Sequence, residues 1–197
     1  MNTNQFKIFI PDSRFRFTTN RIMYTLLVVF ILVTALVGEK SEIPIMLMEI
    51  TLFSIFILFI ISSFRKQKLH GKLSGILELK NDSIVIGNKV ISIEDIEQID
   101  FKLSDYVGRR ERIGRYDWNL NPRISAGIRN NCEIKTVDGN FQKVHFQVIH
   151  DSDFLQNRKT IILYHKAGKI TFKRLSQILY AYSYSEIQEL KGDVLEI

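Results

Sequence analysis

Cysteine is almost missing from this chain. The one thiol, Cys132, leaves no intrachain disulfide and no cysteine-based zinc site, in keeping with a reducing compartment. Histidine is scarce too. His70, His145, His150 and His165 show neither HExxH nor another ligand spacing, so no metal-binding residue is expected. There is no P-loop, no GxGxxG and no GxSxG elbow. These absences leave no catalytic or cofactor-binding residue to name. Repeats and low-complexity tracts are also lacking, and tryptophan occurs once, as Trp118.

Charge is missing from one stretch, and that stretch organises the rest. Residues 22–38, IMYTLLVVFILVTALVG, carry none. As a helix they measure about 26 Å at ~1.5 Å per residue, near the lower limit for a hydrocarbon core ~30 Å thick. Residues 43–64, IPIMLMEITLFSIFILFIISSF, form a second apolar run interrupted only by Glu49. Only Glu39, Lys40, Ser41 and Glu42 separate the runs, a loop short enough for two antiparallel helices. Pro44 fits the first turn of the second helix, where a missing N–H costs nothing. The expectation is a helical hairpin of two membrane spans.

Lys7, Arg14, Arg16 and Arg21 precede the first run, and Arg65, Lys66, Lys68 and Lys72 follow the second. The connecting turn has one lysine. By the positive-inside rule both termini face the cytoplasm. A cleaved signal peptide is the rival reading. It fits less well, because the basic leader is 21 residues long and the next apolar run begins five residues later. Glu49 is the one ionisable group inside a span. Such a carboxylate is a functional hypothesis, but its position near the outer end suits snorkelling to interfacial water.

Hydrophobic residues make up 46% of the chain, yet they concentrate in the hairpin, so the remainder has the composition of one ordinary soluble domain. The net charge of +6 includes the positive-inside flanks, so it does not call for nucleic acid as a partner. In the basic leader, residues 1–21, phenylalanines alternate with arginines. This suits either a membrane interface or an edge strand over residues 7–10.

After the linker at 65–71 the period changes. Three β-branched runs, at 76–79, 84–86 and 90–93, are separated by Asn81-Asp82 and Gly87-Asn88 and predict a β-meander. Ile99, Phe101 and Leu103 alternate with polar residues as in a half-buried strand. Cys132, Ile134 and Thr136 alternate likewise, then Asp138-Gly139 turns the chain into Val144, Phe146 and Val148. On this pattern Cys132 is a small core residue. Asp151 or Ser152 would cap a helix carrying Phe154, Arg158, Ile161, Ile162 and His165, with Gly168 as its stop. A strand at 160–164 is the competing reading, and the helix is preferred. Phe172, Leu175, Leu179 and Tyr182 predict a second helix, and Ser185 opens a third with Ile187 and Leu190.

Residues 108–131 lack periodicity and are rich in arginine: Arg109, Arg110, Arg112, Arg115, Arg123 and Arg129, against Glu111 and Asp117. Tyr116 and Trp118 are interleaved. Guanidinium forks suit phosphate or carboxylate, and an exposed ring suits a membrane interface. The alternative is that these arginines pair with the acidic residues Glu94, Asp95, Glu97, Asp100 and Asp105, with Trp118 covering the core.

The hairpin at 22–64, the run LSGILELKNDSIVIGNKVISIEDIEQIDF and the later strand-to-helix passage together resemble bacterial two-span membrane proteins with a pleckstrin-homology-like domain. The phrase ISIEDIEQIDF is the local signature of that likeness. The resemblance implies a transmembrane helical hairpin plus an α+β domain, a small antiparallel barrel or sandwich closed by C-terminal helices. Its parts would be a leader at 1–21, the hairpin at 22–64, a linker at 65–71, the domain at 72–167 and extra helical residues at 168–197. The expected role is a non-enzymatic binding or adaptor module in the inner membrane that needs no cofactor. Its partners would be the bilayer, anionic headgroups or an acidic protein, and a further copy of the chain. The alternative is an assembly subunit acting through the hairpin.

Overall fold

The structure, a computed structural model, describes residues 4–12, 19–37, 43–111 and 123–197. In chain order the elements are β1 (Gln5–Pro11), α1 (Thr19–Val37), α2 (Ile43–Phe64), β2 (Gly71–Leu79), β3 (Ser83–Ile86), β4 (Lys89–Ser92) and β5 (Ile96–Lys102). There follow β6 (Val107–Arg110), β7 (Ile124–Ala126), β8 (Asn130–Thr136), β9 (Phe141–Phe146), α3 (Arg158–Lys166), α4 (Phe172–Ile178) and α5 (Tyr184–Glu196). They form two compact units interleaved along the chain. One comprises Met1–Asp12, Leu69–Val107 and Ala126–Ile197; the other comprises Ser13–Lys68 and Gly108–Ser125.

The first unit is an α+β domain built on a seven-stranded antiparallel sheet, order β4-β3-β2-β1-β9-β8-β5. Each turn signal does its expected work. The Asn81-Asp82 and Gly87-Asn88 pairs fold β2, β3 and β4 into a meander, and Asp138-Gly139 closes β8 on β9. The surprise is β1. The leader supplies a strand, as one of its two readings had it, but at the centre of the sheet instead of the edge. It pairs with β2 from Gln5↔Glu78 to Pro11↔Gly71 and with β9 at Ile8↔Phe146. Its pairing register shifts between Lys7 and Phe9, where simple alternation breaks. Phe6 and Phe9, three residues apart, are both buried. Gly71 is needed where β2 begins, because a Cβ there would lie 2.1 Å from the Ile10 carbonyl oxygen.

The core lies between this sheet and the three C-terminal helices. Phe6, Phe101, Phe146 and Phe154 cluster with ring centroids 5.1–6.1 Å apart, and Leu77, Ile99, Ile134, Ile161 and Leu175 surround them. Cys132 is fully buried, as expected, and burial pushes its thiol pKa up. Residues 160–164 are helical. Tyr164 is buried on α3, and its hydroxyl donates to the Lys80 carbonyl at 2.6 Å, tying the helix to the β2–β3 turn. A buried hydroxyl needs such a partner. The same helix starts later than its caps predicted. Asp153 accepts from the backbone N–H of His150 (2.8 Å) and Ile149 (3.2 Å), so its carboxylate closes the preceding turn. A 3-10 turn, Leu155–Asn157, then leads into α3. Thr171 caps α4, and Ser183 with Glu186 forms a full capping box on α5. The predicted second helix stops at Ile178, short of Tyr182.

In the second unit α1 and α2 pack against each other. Of the two expected spans, one meets the length and composition of a membrane crossing: Ile45–Phe64, 20 residues with mean hydropathy 2.5. The apolar stretch of α1, Asn20–Leu36, is shorter than that measure requires. The predicted turn at 39–42 lies outside the described residues.

Because Phe6 anchors the central strand in the aromatic cluster, Phe6→Ala is expected to cost about 3–5 kcal/mol. Lys7→Ala, on the same strand but exposed, is expected to stay within about 0.5 kcal/mol. Chemical denaturation of the full chain in detergent micelles measures both. Equal losses would mean that β1 is not a core strand.

Candidate functional site

Helix α2 ends in a problem common to all helices, since its last carbonyls have no partner of their own. The arginine-rich segment meets one of these carbonyls and one just past the helix. The Arg123 N–H donates to the Ser62 carbonyl at 3.4 Å, and the Ile124 N–H donates to the Arg65 carbonyl at 3.3 Å. Gln67 returns its N–H to the Ile124 carbonyl at 2.7 Å, and Lys66 bridges to Ile124 in parallel. Ser62 is buried beneath this junction, its hydroxyl donating to the Phe59 carbonyl at 2.8 Å. Strand β7 is thereby bonded onto the end of the apolar helix. β6 pairs with β7, and the bond from the Glu111 N–H to the Arg123 carbonyl, 3.0 Å, extends the pair.

The side chains follow from that backbone. Arg109 and Arg110 are exposed on β6, and Arg65, Lys66 and Lys68 are exposed just past α2. Arg123 is half-buried, its guanidinium carbon 4.7 Å from the centroid of the Phe59 ring. A guanidinium over an aromatic face is attracted by the ring quadrupole while keeping N–H groups for an anion. Cations also suit the negative end of the helix dipole. Among the described residues the collar holds Arg65, Lys66, Lys68, Arg109, Arg110 and Arg123 against one carboxylate, Glu111. The charge of its described part suits an anion.

The structure does not gather all the predicted site residues. Arg112, Arg115 and Trp118 lie outside the described residues. Arg129 belongs to the other unit, where its N–H donates to Asp105 at 3.4 Å. Beside it buried Asn130 satisfies its whole amide, accepting from the N–H of Ser104 and Asp105 (3.0 Å each) and donating to the carbonyls of Asp105 (2.9 Å) and Gly127 (3.0 Å). That is loop architecture. Glu49 is exposed on α2, and no charged partner stands beside it among the described residues.

Several of the acidic residues that could have neutralised the arginines have other partners. Glu97 pairs with Lys135 at 2.7 Å, and Asp100 pairs with Arg174. Glu133, between Lys102 and Lys143 at 3.1 and 2.9 Å, is held below the ordinary carboxylate range by hydrogen bonds from both. His150 contacts Asp153 at 3.2 Å, and His165 Nδ1 lies 2.7 Å from the Ile170 carbonyl oxygen. No cluster of metal-ligating side chains occurs among the described residues. Sequence reasoning missed Phe59 and Ser62 as parts of the site. The available signal was Arg65, Lys66 and Lys68, which read only as topology markers.

Compared with protein families, with curated protein sequences and with solved structures, the chain finds no match.

The contact between Arg123 and Phe59 is expected to show a coupling of about 0.5–1 kcal/mol in a double-mutant cycle of Arg123→Gln and Phe59→Leu. Unfolding in detergent micelles measures it. Additive losses would remove the cation–π contact from the collar.

Proposed function

We propose that this chain is a non-enzymatic, membrane-anchored binding or adaptor module whose basic collar engages anionic lipid headgroups. The observation that carries the reading is the set of backbone hydrogen bonds in which Arg123 and Ile124 donate to Ser62 and Arg65 and Ile124 accepts from Gln67. They fix the arginine-rich strands at the end of the one helix, among the described residues, that is long and apolar enough to cross a membrane. Headgroup phosphates lie at that depth, and each cation near an anionic leaflet gains about 1 kcal/mol.

The sheet supports a two-span hairpin. The Asp12 N–H donates to the His70 carbonyl at 2.9 Å, and Pro11 pairs with Gly71. A membrane insert with its ends bonded to each other must leave and return on one side, so it crosses an even number of times. One crossing by α2 breaks that parity. α1, 19 residues and about 28 Å long at ~1.5 Å per residue, provides the return. The lysine and arginine flanks favour the cytoplasmic side for the paired ends. The strand order also favours the pleckstrin-homology-like reading: β2–β4 form one meander, β5, β8 and β9 another, β1 joins them, and C-terminal helices pack on the core. A fold of that kind hosts many ligands, so the collar carries the function and the fold does not.

The headgroup reading predicts that phosphatidylglycerol raises the unfolding midpoint of the full chain in micelles and phosphatidylcholine does not. Replacing Arg109, Arg110 and Arg123 together by glutamine should remove about 3 kcal/mol of that gain, and salt at ~1 M should remove most of it from the native chain. An identical response to the two lipids would sink it.

The topology reading is checked by thiol labelling in intact cells. Lys40→Cys should react with an impermeant maleimide from outside. Asp12→Cys and His70→Cys should react only after permeabilisation, with buried Cys132 silent in the folded protein. Labelling of position 12 but not 70 in intact cells, or the reverse, would refute the paired-end arrangement.

A further inference from the structure

Helix α2 has a second face that the hairpin leaves unused. The side that packs on α1 repeats every three or four residues: Leu47, Thr51, Ser54 and Leu58 are half-buried, and Ser62 is buried. α1 answers with Met23, Leu27, Phe30 and Thr34, spaced alike and buried or half-buried. Small and hydroxyl side chains on such a seam let two helices approach closely. Glu49 is not on it. It stands two residues from Thr51, about 200° round the helix at ~100° per residue, on the side away from α1.

Glu49 has company on that far side. Met46, Glu49, Phe53, Phe56 and Ile60 are spaced three and four apart, the rhythm of a second helix-packing seam. All five are exposed, Met46, Phe53 and Phe56 by more than half. A face turned only to lipid has no use for a carboxylate. Glu49 lies four residues inside the apolar run Ile45–Phe64, about 6 Å at ~1.5 Å per residue. Ionisable groups inside a membrane pair with one another or with polar groups of a neighbouring helix. The hairpin has no charge to offer there: residues 22–37 of α1 include none, and Glu49 is the one charged residue of α2.

The chemistry of that face selects a second copy of the chain as its occupant. Copies inserted by the same flanking charges share one orientation, so their Glu49 carboxyls meet at one depth. Two carboxyls at one site share a proton, the O–H of one donating to the carboxylate of the other. A foreign helix would need its own donor tuned to that depth. One polar position in an apolar seam also fixes the register of two parallel helices. A twofold axis along the membrane normal sets the same patch against itself, the commonest form of a homodimer.

We propose that two copies of the chain pair in the membrane through the Met46–Ile60 stripe of α2, with their Glu49 carboxyls hydrogen-bonded to each other. This rests on the reading of α2 as a membrane span. Oxidative cysteine crosslinking of the full chain, in membranes of the cells that express it, is the test. Phe53→Cys and Phe56→Cys should each give a disulfide-linked pair of chains. Met48→Cys and Ile61→Cys, also exposed but off the stripe, should not, and the native chain with buried Cys132 is the blank. In the Phe56→Cys background, Glu49→Leu should weaken pairing about three- to thirtyfold, the range of one interhelical hydrogen bond in a bilayer. Glu49→Gln, whose amides can bond to each other, should keep it, and so should Lys40→Gln. Equal crosslinking at all four positions, or none at Phe53 and Phe56, would overturn the proposal. Unchanged pairing in Glu49→Leu would return the carboxylate to interfacial water, and lost pairing in Lys40→Gln would make that lysine its partner; either result refutes the shared hydrogen bond. A failed span would show separately, as loss of Lys40→Cys labelling from outside, whereas a failed dimer leaves that labelling intact.

Discussion

The pairing of β1 with β2 is the constraint on which the rest of this molecule depends. Seven residues from the start of the chain fill the centre of a sheet whose other strands lie beyond residue 70. Without β1, the β2–β3–β4 and β5–β8–β9 groups have no common strand. The apolar helices are therefore not a leader attached to a finished domain. They are an insert between two adjacent strands, closed by the bond from Asp12 to His70. Such a sheet is expensive in chain entropy, because Lys7 meets Gln147 only after both helices and the other strands have been made. During synthesis β1 has its edges open until β2 and β9 arrive, a hazard for pairing with other chains. Placement of an apolar insert directly after β1 limits that exposure if the insert enters a bilayer.

The collar shows how backbone chemistry can decide where charge accumulates. The carbonyls at the end of α2 need donors, and a carbonyl left bare away from water costs about 1–3 kcal/mol. Arg123, just before β7, donates to the Ser62 carbonyl, and Ile124 of β7 donates to Arg65 just past the helix. β6 then pairs with β7 and brings Arg109 and Arg110. Cations on a water-exposed face gain little from scattered carboxylates, about 0–1 kcal/mol each. Against an ordered array of phosphates, the same cations act together and each gains more.

What could be read in the sequence was local. The meander at 71–92 and the β8–β9 hairpin were legible because each strand pair is joined by a turn with its own chemistry, Asn-Asp, Gly-Asn or Asp-Gly. The helix at 158–166 was legible from its apolar spacing despite a strand-like run of residues. The central role of β1 was not, because strand order is decided by partners about 65 and 140 positions away in the chain. The end of α4 was misjudged for a different reason. A tyrosine occupies the left-handed stop where glycine or asparagine is the usual sign, so the apolar spacing ran on past it to Tyr182. The acidic stretch at 94–105 suggested partners for the arginine segment. For two of its residues the partner came instead from elsewhere, with Arg174 on α4 taking Asp100 and Lys135 on β8 taking Glu97, while Asp105 accepts from the Arg129 N–H. The candidate site was half legible. Its arginines stood out, but the helix end that positions them was read only for topology.

On the proposed reading the collar and the hairpin do different jobs. Insertion of an apolar run such as Ile45–Phe64 is effectively irreversible, with no help needed from surface charge. A few kcal/mol from arginines therefore cannot be there to hold the protein on the membrane. What it can do is choose among orientations and among lipids. Those alternatives differ by only a few kcal/mol, and tethering has already raised the local headgroup concentration enough for weak contacts to be occupied. The backbone bonds that fix β7 to the end of α2 fit this division. An attachment patch works on a loose loop, whereas an orienting one must be rigidly joined to the element it orients.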